Sequence, residues 1–153
     1  MSDNTIYLNL VAKALESNDT LRDLVNGQIV PGFRRSKADE YLEETNKACI
    51  GIRSLSRNSQ GLPGCQSHGI SKNDHLIEIR VITLITSTKT DDSFNNSITS
   101  LIEQVLKGGI IQILDEIEYQ VLVGPFNFTT LEDENISDRI ESQTTIRLKY
   151  FAR

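Results

Sequence analysis

The chain has 153 residues, of which 38% are apolar and 24% are charged, a balance typical of one folded globular domain. Its 16 basic and 21 acidic residues give a net charge of -5, and no block of lysine and arginine is long enough to make a strong basic surface. Proteins that hold nucleic acid usually neutralise phosphates with such a surface, so the composition argues against a DNA-gripping protein.

Targeting signals and disulfides are not indicated either. An acid stands among the first five residues and no Lys or Arg precedes Lys13, which is unlike a secretory signal peptide. No stretch of about 18 uninterrupted apolar residues occurs, so a membrane-spanning helix is not expected. Cys49 and Cys65 are the only cysteines, and we expect reduced thiols in a cytoplasm.

Apolar residues at helical spacing predict an N-terminal helix, or two short ones, ending at Gly27. The stripe consists of Tyr7, Leu10, Val11, Ala14, Leu15, Leu21, Leu24 and Val25, with a break or a new N-cap at residues 17–19. Residues 28–33 are extended, and Pro31 favours a sheet edge because it cannot donate a ladder hydrogen bond. Residues 34–44 change from basic to acidic and predict a solvent-facing excursion.

The strongest signal is a long strand over residues 74–88. Its first face carries Ile77, Ile79, Val81, Thr83 and Ile85, which are expected in the core. Its second face is charged at Glu78 and Arg80 and apolar again at Ile82 and Leu84. A shorter strand is predicted over residues 47–55. The glycine-rich residues 56–73 have little to bury and predict an extended arm or loop without regular structure.

The strand is followed by an amphipathic helix, capped by residues 91–93 and ended by residues 108–109. Its apolar side carries Phe94, Ile98, Leu101, Ile102, Val105 and Leu106. Alternation predicts further strands over residues 117–123 and 140–150, with another extended piece beginning at Phe126. The pattern indicates one α+β domain spanning residues 1–153, in which two main helices pack on one face of a largely antiparallel or mixed sheet with long loops.

No short motif in the sequence indicates an enzyme. Cys65, His68 and His75 are the only cluster resembling metal ligands, but a structural zinc site needs a fourth ligand, and a glycine-rich loop explains them more simply. We expect both histidines at the surface. No nucleophile elbow or phosphate-binding glycine loop occurs, so no catalytic residue, metal or cofactor is predicted. Asn18, Asn95, Asn127 and Asn135 begin glycosylation triplets, which we discount for lack of a signal peptide.

The order of these elements resembles the tail terminator proteins of tailed bacteriophages, which are small α+β domains. The matching parts are the helical region from Tyr7 to Val25, the strand from Asp74 to Val81, the helix from Phe94 to Leu106 and the closing strand from Thr145 to Tyr150. The charged and apolar run that begins at Asp74, just after a glycine-rich loop, is the most specific of them. The resemblance covers most of the chain.

The resemblance implies a virion protein of the tail or neck, assembled in the host cytoplasm, without catalytic residues. It implies a homo-oligomeric ring, in that family a hexamer, which stops polymerisation of the tail tube and offers a surface to the head connector. DNA would pass through without specific binding, and the acidic balance suits such a lumen.

Five residues are predicted to contact subunits or partners. Ile82 and Leu84 are the apolar half of the second strand face and a candidate ring-closing contact. Arg80 lies beside them on that face, and Arg34 and Arg35 can contact a phosphate or a partner carboxylate, although paired arginines on a loop are usually just solvated. Replacing Ile82 with Asp is then expected to weaken the oligomer without unfolding the subunit.

Two other classes remain open. A head-tail connector or stopper protein of the phage neck would share the small size, the ring and the polar arms, but its partner would be the portal complex. A more distant alternative is an intracellular binding module or small enzyme with a ferredoxin-like sheet.

Overall fold

The computed structural model describes residues 4–42, 48–61, 71–85, 93–107, 110–114, 117–124, 126–131 and 139–152. The elements in chain order are α1 (Asn4–Glu16), α2 (Asp19–Leu24), β1 (Ile29–Pro31), a 3₁₀ helix (Arg35–Glu40), β2 (Ala48–Gly61), β3 (Ser71–Leu84), α3 (Ser93–Leu106), β4 (Ile110–Leu114), β5 (Ile117–Gly124), β6 (Thr129–Leu131) and β7 (Arg139–Ala152). No described helix is both long and apolar enough to cross a membrane.

The N-terminal region forms two helices because Asn18 interrupts the first and caps the second. The Asn18 side chain accepts a hydrogen bond from the Leu21 amide at 2.9 Å. After α2, Asn26 and Gly27 both adopt positive φ angles, and the Gly27 amide donates to the Arg22 carbonyl at 2.8 Å. This is the left-handed helix ending that glycine favours, at the predicted stop.

The described strands form one seven-stranded sheet in the order β1-β2-β3-β7-β5-β4, with β6 also paired to β7. β1 runs parallel to β2, while the other pairs are antiparallel. The prediction of an α+β fold with a largely antiparallel or mixed sheet is confirmed.

Three long strands, β2, β3 and β7, are aligned over their full length. Ala48 lies opposite Thr83 and Gly61 opposite Ser71, while β7 pairs with β3 from Arg139 to Ala152. Fourteen residues of strand span about 46 Å, whereas the fourteen residues of α3 span about 21 Å. The strands are therefore more than twice as long as the helices that cover them.

The prediction of a loop without regular structure over residues 56–73 is wrong at both ends of this range. Residues 56–61 continue β2 and pair with residues 71–76 of β3, whose first three residues belong to the expected loop. A bulge at Leu55 separates this extension from the predicted strand. Residues 62–70 lie outside the described part of the chain, as do Thr86 and the predicted cap at residues 91–92.

All three helices pack on one face of the sheet, which we call the helix side. The main core lies there and contains Leu8, Val11, Ala12, Leu15, Leu21, Val25, Ile29, Ala48, Ile50, Ile52, Ile77, Ile79, Val81, Ile98, Ile102, Leu106, Ile146 and Leu148. The predicted apolar stripes of the helices and the first face of β3 supply most of it. Helix packing on one face is thus confirmed.

Two residues of the predicted strand are placed differently from expectation. Ile85, predicted in the core, follows the end of β3 and is exposed. His75, expected at the surface, is fully buried on the helix side, where its Nε2 lies 2.7 Å from the Ser54 hydroxyl. Its position is two residues from Ile77 on the same strand face, so alternation carries the imidazole into the core.

Candidate functional site

The face of the sheet opposite the helices changes character along the strands. At one end it is covered by the segment that follows β1. Here Phe33, Ala38 and Leu42 pack on Cys49 and Ile82 to form a second apolar cluster. Val30, Tyr41 and Leu84 pack at its margin. The segment predicted as a solvent-facing excursion therefore closes over one end of the sheet.

Gly51 permits this closure. A side chain at this β2 position would collide with the ring of Phe33, which lies directly over the glycine. The Phe33 amide donates to the Ile52 carbonyl at 3.1 Å, and its ring meets that of Tyr41 with centroids 6.0 Å apart. The absence of a side chain at Gly51 thus allows the covering segment to lie close to the strand.

The second cluster corrects the prediction for Ile82. Its side chain is fully buried beneath its own chain, so it has no surface to offer a neighbouring subunit. Leu84 is half-buried at the margin of the same cluster. Arg34 is exposed just before the 3₁₀ helix, and Arg35 is the first residue of that helix. Arg80, by contrast, is largely buried in the sheet and pairs with Glu78 and Glu141.

Beyond the second cluster lies a network of charges centred on Arg80. Its guanidinium donates to Glu78 at 3.1 Å, to Glu141 at 3.3 Å and to the Gln143 side chain at 2.9 Å. Arg53 donates to the other oxygen of Glu78 at 2.9 Å. The Arg80 side chain is only 12% exposed, and those of Glu78 and Glu141 are 10% and 4% exposed. Arg80 therefore links β3 to β7 through the hydrogen bonds of its side chain, which is a structural role.

The charges of the chain are segregated between the long strands and the remainder. β2, β3 and β7 carry seven Lys or Arg residues and three acids, a net charge of +4. The rest of the chain carries nine basic and eighteen acidic residues, a net charge of -9. The total of -5 therefore hides a basic sheet within an acidic protein.

The acids of the long strands are covered, while several cations face solvent. Asp74 is paired with Arg147 at 3.0 Å and its side chain is 25% exposed, compared with 52% for Arg147. Arg53 is 49% exposed, and Thr145 and Lys149 are also exposed. We call the surface bearing Arg53, Thr145, Arg147 and Lys149 the open sheet face. The net charge of the whole chain conceals this basic surface. Counting charge strand by strand indicates basic strands, but only the strand pairing assigns the cations to one face.

On the helix side, a buried polar contact attaches the start of α3 to the sheet. The Asn95 amide donates to the Thr83 hydroxyl and the Ile140 carbonyl, both at 3.2 Å, and the Ser142 hydroxyl donates to its carbonyl oxygen. Asn95 is 1% exposed, which agrees with discounting its glycosylation triplet. In the sequence Asn95 stands out only as the start of that triplet, and its burial is not predicted because Asn is common on exposed helix faces.

The described residues offer little for catalysis. They contain no group of three or more His, Cys, Asp or Glu side chains arranged to hold a metal ion. Cys65 and His68 lie outside the described residues. Burial raises the pKa of the Cys49 thiol from 9.0 to about 12; Arg139 opposes this rise and Glu141 adds to it. A thiol held protonated in this way is a poor nucleophile.

No protein-family model matches the chain, and no curated protein matches its sequence. Similarity is found instead among solved structures. A chain from the virion of a native gene transfer agent particle superposes with a TM-score of 0.64 at 11% identity. The alignment covers 99% of this chain and 100% of that one. The protein therefore has the fold of a virion component over its whole described length.

Proposed function

We propose that the protein is a structural component of a phage-like virion, and within that class a tail terminator. The observation that carries the proposal is the likeness, over the full length of both chains, to a chain of a gene transfer agent virion. A fold alone does not specify a function. The order of the helices and strands also resembles that of tail terminator proteins, which belong to the same class of virion component.

In this role the protein forms a homo-oligomeric ring, as the resemblance to terminators implies. The ring sits at the head-proximal end of the tail tube, stops its polymerisation and joins the tail to the neck. The structure supports a surface-based role of this kind, because its long strands extend well beyond the helices and present polar and basic side chains. No cofactor is needed for such work.

The ring is tested by the mass of the protein in solution. We expect a discrete oligomer, a hexamer if the terminator resemblance extends to ring number, whose mass stays constant as protein concentration is raised. Analytical ultracentrifugation or native mass spectrometry gives this directly. A clean monomer at high concentration would contradict the proposal.

The partner distinguishes a terminator from a connector or stopper. The purified protein is incubated separately with assembled tail tubes and with portal complexes from the same phage, and co-sedimentation is measured. A terminator sediments with tubes, in an amount proportional to the number of tube ends. Binding to the portal complex alone would instead assign the protein to the connector class.

A further inference from the structure

We propose that the open sheet face contacts the phosphate backbone of double-stranded DNA without reading its sequence. This inference deepens the proposed function, because it assigns a surface to the DNA that passes through a terminator ring. It also revises the expectation of an acidic lumen, which was based on the charge of the whole chain.

The first argument is the sign of the charge that reaches solvent. Arg53 and Arg147 are about half exposed, whereas the carboxylates they pair with, Glu78 and Asp74, are 10% and 25% exposed. Lys149 adds an exposed cation. The acids therefore lie beneath the cations, and an approaching molecule meets positive charge first. Such a surface attracts a polyanion even though the protein as a whole is acidic.

The second argument is the spacing of these cations. Arg147 and Lys149 are two residues apart on β7, and so lie about 7 Å apart on one sheet face. Arg53 lies two strands away, opposite Glu78, which is itself opposite Thr145. Thr145 is therefore about 9.5 Å from Arg53, and Arg147 and Lys149 lie two and four residues further along β7. The three cations thus occupy a patch about 16 Å across, over which a DNA backbone presents several phosphates, since it carries one phosphate charge per about 1.7 Å of helix axis.

The third argument is the chemistry between the cations. Ser56, Asn58 and Thr145 are exposed along the same strands. Hydroxyl and amide side chains with Arg and Lys are the groups that contact phosphate oxygens in protein–DNA complexes. Protein interfaces usually need apolar or aromatic anchors. Leu76 is the large apolar residue described on the regular part of this face, and its side chain is half-buried. Leu55 lies at the bulge. DNA is therefore favoured over an acidic protein.

The face has no described α-helix that could enter a groove, because α1, α2 and α3 all pack on the helix side and the 3₁₀ helix is held against the second cluster. Sequence is read mainly through base edges in the grooves, while phosphate contacts carry no sequence information. We therefore expect weak binding that depends on salt and not on sequence. Contact of this kind lets DNA slide through a ring.

The test compares the double variant Arg147→Gln/Lys149→Gln with the matched control Lys13→Gln/Lys107→Gln, which removes two exposed cations from the helix side. Both full-length variants are first checked for wild-type melting and wild-type mass. Fluorescence anisotropy then measures binding to two labelled duplexes of about 30 base pairs with unrelated sequences, from about 50 to 200 mM salt. Labelled polyglutamate is the probe for an acidic protein surface.

We expect the wild-type protein to bind both duplexes equally, with an affinity that falls linearly on logarithmic axes as salt is raised. The open-face variant should bind about tenfold more weakly and show a smaller salt slope, while the control stays within about twofold of wild type. Equal losses in both variants would overturn the inference, as would absence of wild-type binding at low salt. Polyglutamate binding that matches duplex binding, and is lost in the same variant, would assign the face to an acidic protein.

These outcomes are separable from failure of the proposed function. Rings that stop tube growth but do not bind DNA would overturn this inference and leave the terminator role intact. DNA binding that depends on the open sheet face, in a protein that does not bind tubes, would support the surface and contradict the terminator role.

Discussion

The two sides of the sheet are made by the same strands and differ in what covers them. The helix side is apolar along much of its length and is sealed by α1, α2 and α3. The opposite side is apolar under residues 33–42, charged at the Arg80 network and open toward the far end of the long strands. Stability is therefore concentrated on the helix side and at one end of the other, while the remaining surface is available for contact.

Ile82→Asp is expected to have the largest effect. A carboxylate at this position would be fully buried in the second cluster and directly opposite the buried Glu141, so we expect a loss of about 5 kcal/mol, enough to unfold many domains of this size. Thr145→Asp, on the open sheet face, is the matched control and should change the free energy of unfolding by about 0.5 kcal/mol. Urea denaturation measures both. A folded Ile82→Asp subunit that no longer forms rings would restore the original interface prediction.

Arg80→Ala should have the next largest effect. It removes the cation that joins the covered carboxylates of Glu78 and Glu141, which we expect to cost about 3 kcal/mol. The matched control is Arg22→Ala, whose pair with Asp19 is largely exposed and should contribute about 0.5 kcal/mol or less. Equal destabilisation of the two variants in urea would show that the Arg80 network is no more than a surface ion pair.

Asn95→Ala tests the polar contact on the helix side. The Ser142 and Thr83 hydroxyls would lose a buried partner, and we expect a loss of about 2 kcal/mol. The adjacent Asn96 is exposed, so Asn96→Ala should be nearly neutral in the same thermal or urea unfolding measurement. If the two variants are indistinguishable, Asn95 does not hold α3 to the sheet.

Cys49 gives the smallest effect near neutral pH, where its thiol is protonated in both the folded and the unfolded protein; its burial is seen in labelling and in stability at alkaline pH. In a Cys65→Ser background, iodoacetamide at about pH 8 should label the folded protein slowly and the urea-unfolded protein fully. Because the folded pKa is raised from 9.0 to about 12, the unfolded thiol ionises first. Stability should therefore fall as pH rises from 9 toward 12, and less so in Cys49→Ser. Rapid labelling without urea would contradict the buried position.

Alternation along β3 predicted correctly which residues share each face of that strand. It did not predict what covers them. Ile82 looked like a surface contact because Phe33 and Leu42, which bury it, are distant in sequence and lie in a charged segment. His75 was expected at the surface because it is the second residue of the predicted strand, whereas β3 begins three residues earlier, at Ser71, and carries His75 into its interior. Tertiary covering and strand ends are set by packing, which local periodicity does not contain.

The open sheet face was hidden for a different reason. Its residues lie on strands whose acids are paired and covered, so neither the net charge nor a run of basic residues reveals it. The bulge at Leu55 also shifts the register of β2, and alternation from Ala48 cannot be extended through it. Assigning the cations to one surface needed the strand pairing.

The central claim, that the protein ends tail growth, is tested most directly with polymerising tail-tube protein. The protein is added in increasing amounts, and tube lengths and tube ends are measured by electron microscopy. We predict tubes that become shorter as the protein is increased, with a ring of density at one end of each. Unchanged lengths and bare ends, from protein that is folded and oligomeric, would contradict the account.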